Sequence, residues 1–103
     1  MPEVADRSPA EGFERELDRV VDRLRGMLVS RLADPADRAF AASQALLALT
    51  AGNAGAHDLP RIADHAAGDQ LAVIGHDFAA GQPSDEQYAA ATALLADLRR
   101  SLP

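Results

Sequence analysis

Four polar residues between positions 65 and 76 have the types and spacing that chemistry requires. His65, Asp69, Gln70 and His76 fall in LPRIADHAAGDQLAVIGHDFAA, whose helical periodicity puts His65, Asp69 and His76 on one flank. An imidazole and a carboxylate four residues apart could share one ion or work as an acid–base pair. The same spacing limits the idea. At about 1.5 Å per helical residue, His65 and His76 stand roughly 16 Å apart, too far for a mononuclear site. Zinc usually takes three or four protein ligands, so the others would have to come from His57, another helix or another subunit. An exposed His–Asp pair is the plainer reading, and neither a metal nor a cofactor is expected. Gln70 falls on the apolar face, where its amide needs a hydrogen-bond partner such as a backbone group or Tyr88.

No catalytic set stands beside these residues. Ser30, Ser43 and Thr50 have no histidine adjacent in sequence. The chain has no cysteine, which excludes disulfides, thiolate ligands and cysteine nucleophiles. Gly52-Asn53-Ala54-Gly55 lacks both the Lys-Ser/Thr of a P-loop and a strand before it, so it reads as a helix stop. A net charge of −6 argues against nucleic acid, whose phosphates demand basic clusters. The balance favours a binding protein over an enzyme, with small-molecule or metal binding on the His65 flank as the alternative.

Four helices must position these groups. The first starts at Pro9 and carries Phe13, Leu17, Val20, Val21, Leu24, Met27, Leu28 and Leu32 at three- and four-residue steps. Asp34 and Pro35 open the second, which runs to about Ala51. Asp58 caps a third that extends to Ala80, its core face formed by Leu59, Ile62, Ala63, Ala66, Ala67, Val73, Ile74 and Phe78. Ser84 caps the fourth, with Gln87 completing a capping box before the stripe Tyr88, Ala91, Leu95, Leu98 and Leu102. No alternating strand pattern appears. These elements predict an all-α fold, a small up-down-up-down four-helix bundle over residues 10–103, after a flexible polar lead-in at 1–9.

The second helix belongs to an uncharged run, Ala39 to Ala56, and has scarcely a charged side. A helix apolar on most of its circumference must be covered there. Ser43, Gln44, Thr50 and Asn53 interrupt the run, whereas a bilayer span needs about 20 strongly apolar residues, so no membrane partner is expected. The acidic N-terminus is no secretory signal, and the chain reads as cytoplasmic. Ala45, Leu46 and Leu49 are therefore candidate contacts with another subunit. Gly68, Ala72, Gly75 and Ala79 form a second candidate, a strip without bulk on the back of the third helix. Each interior helical glycine costs about 1 kcal/mol, which is easiest to understand if another backbone comes close. The competing reading is a helix break at Gly68. The expected partner is a second copy, giving a dimer, or a larger protein.

Overall fold

The computed structural model describes residues 8–51 and 59–103. Most of the lead-in, the glycine loop, His57 and the Asp58 cap lie outside the described residues. Helix α1 (Pro9–Arg25) is closed at its start by a reciprocal pair. The Ser8 hydroxyl accepts from the Glu11 amide at 3.1 Å, and the Glu11 carboxylate accepts from the Ser8 amide at 3.2 Å. It buries Phe13, Leu17, Val20, Val21 and Leu24. The helix was expected to continue to Leu32, but it stops at Arg25. Gly26 caps it, donating its amide to the Asp22 and Leu24 carbonyls, and a 3-10 turn follows at Val29–Arg31. Leu28 and Val29 consequently stand in solvent, 68% and 70% exposed, while Leu32 returns to the core.

Helix α2 (Ala33–Ala51), α3 (Ala67–Ala80) and α4 (Asp85–Ser101) complete the all-α four-helix bundle that the periodicity predicts. Each helix packs on two others, in the ring order α1, α3, α2, α4. Phe13 meets Phe78 and Leu17 lies beside Gly75, so α1 and α3 are antiparallel. Phe13 also meets Tyr88, and Arg23 reaches the Pro103 carbonyl, so α1 and α4 run the same way. Gln87 donates to the Leu49 carbonyl while Arg38 lies beside Ser101, which makes α2 and α4 antiparallel. Thr50 and Phe78 share one small cleft, so α2 ends beside the end of α3. The directions are thus up, down, down, up, where strict alternation was expected. Fifteen residues separate α2 from α3. That length permits a return along the bundle, which a tight turn would forbid.

Phe13, Phe78 and Tyr88 close one end of the core, with ring centroids 5.1 to 5.7 Å apart. Leu17, Leu46, Leu71 and Leu95 continue it without solvent exposure beyond 1%. The start of α3 departs from expectation. Residues 59–63 are not helical, and a 3-10 turn at Asp64–Ala66 leads into α3 at Ala67. This strap is tied down by polar side chains. Gln70 Nε2 donates to the Pro60 carbonyl at 3.0 Å, and Arg61 donates to Asp37 at 2.7 Å and Asp64 at 2.9 Å. Gly68 is therefore the second residue of α3, and neither a continuous helix through 59–80 nor a break at Gly68 describes the segment.

Candidate functional site

The structure does not assemble the polar residues of α3 into one site. Because α3 begins at Ala67, His65 lies in the preceding 3-10 turn and does not share an α-helical face with Asp69. Asp69 is instead paired with Arg25 of α1, at 2.7 Å to Nη2 and 2.8 Å to Nε. Gln70 is half-buried and holds Pro60, the backbone partner that its position called for. His65 and His76 are exposed. Among the described residues, no three His, Cys, Asp or Glu side chains come together as ion ligands.

The small strip on α3 does meet a close neighbour, but within the chain. Gly68 and Gly75 are buried against α1. A Cβ on Gly75 would lie 2.6 Å from Leu17 Cδ2, and one on Gly68 would lie 3.3 Å from Leu24 Cβ. Ala72 and Ala79 pack half-buried against the same core. The face assignment rotates accordingly: Val73, expected inside, is 59% exposed, and Leu71, not counted on the core face, is fully buried. The reason is packing. Helices approach most closely where side chains are smallest, so α1 takes the glycine side and turns it inward.

Helix α2 retains an open side. Pro35, Ala36, Ala39, Ala42, Ser43 and Leu46 face the core, so Leu46 is enclosed by its own chain and is withdrawn from any partner surface. Leu49 is half-buried against that core. Phe40 is half-buried beneath Arg61, whose guanidinium carbon lies 5.9 Å from the ring centroid. Hydrogen bonds from Arg61 to Asp37 and then Asp64 hold its pKa above the ordinary value. The remaining side carries Ala41, Ala45 and Ala48: Ala41 and Ala48 are exposed and Ala45 is half-buried. Solvent therefore reaches alanines on a helix that was expected to be covered over most of its circumference.

Beside that row lies a shallow groove of about 380 Å³ between α2 and α4. Ala41, Ala42, Ala45, Leu94 and Leu98 form its apolar part, and Arg38 and Asp97 stand on its two walls. Sequence reasoning found Ala45 but missed the groove, because α2 and α4 become neighbours only in the folded chain. Among the described residues, no helix is long and apolar enough to cross a membrane. No protein-family model, no curated protein and no solved structure matches this chain, so its geometry carries the functional argument alone.

Proposed function

We propose that this chain is a non-catalytic interaction module that binds protein through the open side of α2 and the groove beside α4. The observation that carries the reading is the uncharged row Ala41, Ala45 and Ala48, left uncovered on a helix whose other side is core. Alanines let a second helix approach closely, and Leu94 and Leu98 add apolar area next to them. The acidic balance of the chain supports a protein partner over a polyanion. A homodimer, or a complex with a larger protein in the cytoplasm, is the setting proposed.

The absence of native cysteine provides a direct test. Ala41→Cys and Ala48→Cys each place a single thiol on the open side of α2, and His76→Cys places one on exposed α3 as a control. In intact cells a face that is nine-tenths occupied should react with a maleimide about tenfold more slowly than the control. In dilute purified protein all three should react alike. Equal rates in cells as well would overturn the reading.

A further inference from the structure

The walls of the α2–α4 groove carry a charge pattern that fits a second copy of itself, and the geometry points to a two-fold dimer through this groove. The inference rests on the reading above and names the partner. On the α2 wall, Asp34 and Arg38 form a pair at 2.9 Å. On the α4 wall, Asp97 pairs with Arg100. All four side chains are at least half exposed, so these intrachain pairs are weak and free to exchange partners. The helices are antiparallel, and the Gln87 bond to Leu49 sets their relative level. Equal steps back from it put Arg38 level with Leu98, next to Asp97. Asp34 and Arg100 lie beyond them toward the same end.

Two face-to-face arrangements satisfy a two-fold axis. An axis along the helices lays α2 of one copy over α4 of the other at unchanged height. Each Arg38 then faces Asp97 of the other copy, each Asp34 faces Arg100, and the alanine row of α2 meets Leu94. An axis across the helices lays α4 on α4 instead. By the same register Arg38 then falls on the uncharged end at Ala48 and Asp97 on Ala89, so both lose an opposite charge and only Arg100 finds one, in Glu86. Charge complementarity selects the first arrangement. Two helices about 27 Å long and about 10 Å wide each offer roughly 500 Å² per copy. The total, about 1,000 Å², is at the lower limit for a specific interface, so the dimer should be weak and concentration-dependent.

Sedimentation equilibrium of the full chain, from low micromolar to millimolar, tests this. The native chain should pass from monomer to dimer. Arg38→Asp and Asp97→Arg should each raise the dissociation constant about tenfold or more, because each substitution strikes two contacts per dimer. The double variant should recover to within about threefold of native. Added salt should weaken the native dimer, a measurement that needs no substitution. A native chain monomeric at millimolar concentration would overturn self-pairing; if Ala41→Cys and Ala48→Cys were still protected in cells, the interaction reading would survive with another partner. A dimer indifferent to the single reversals, or not rescued by the double one, would overturn this arrangement alone.

Discussion

Ser43 sits in the core of α2 with its hydroxyl wholly buried, and its Oγ has no hydrogen-bond partner among the described residues. A hydroxyl that leaves water without gaining a bond opposes folding. Ser43→Ala should therefore raise the unfolding free energy by about 1 kcal/mol in urea denaturation. A loss of stability would show that the oxygen is serving a bond. The glycines make a sharper contrast, since one substitution should act in opposite directions. A Cβ at Gly12 meets nothing among the described residues within 4 Å, so Gly12→Ala should stabilise α1 by up to about 1 kcal/mol through helix propensity. At Gly75 the added carbon collides with Leu17, which is only 1% exposed. Gly75→Ala should lower stability by about 1–2 kcal/mol net, as overpacked cores do. If both variants gained stability, the tight α1–α3 approach would be refuted. The glycine spacing was readable as a sign of close approach, but nothing in it distinguished α1 from another subunit.

Secondary-structure elements preserve more of what their own residues encode. Helix α4 begins at Asp85 behind a Ser84–Gln87 capping box and buries Ala91, Leu95 and Leu98, as its spacing predicts. The Ser8–Glu11 box of α1 was legible by the same rule and was missed. Cross-helix pairs were not legible. Glu16 stands three residues from Arg19 in the sequence, yet it is 8% exposed and engages Arg99 of α4. Arg99→Ala would strand that carboxylate, so it should lower the melting temperature more than Arg100→Ala, whose pair with Asp97 is exposed. Equal melting temperatures would show the Glu16 contact to be idle. The Glu16 hydrogen bond and charge hold the Arg99 pKa above its ordinary value. Its contribution is then complete below the unfolded-state value and lost only as pH rises through the higher folded value. Melting curves at neutral and mildly alkaline pH should show no loss from this pair.

At the scale of the whole molecule, the α2–α4 groove joins residues such as Arg38 and Asp97 that are far apart in the chain. If the groove closes on a second copy, folding is coupled to association. The melting temperature of the native chain should then rise with protein concentration, and that of Arg38→Asp should rise less. A melting temperature independent of concentration would count against the dimer. The amino-acid order by itself determined what depends on near neighbours: helical character, the capped start of α4, the turn after Ala80 and an all-α class. Periodicity and caps act over three or four residues, so they can be read along the chain. Tertiary structure decided the rotation of α3, the strap at 59–63, the up, down, down, up course and which side of α2 stays open. Those outcomes depend on which helix fits closest against which. Leu17 against Gly75 and Arg61 on Asp37 settle that competition only once the whole chain is packed.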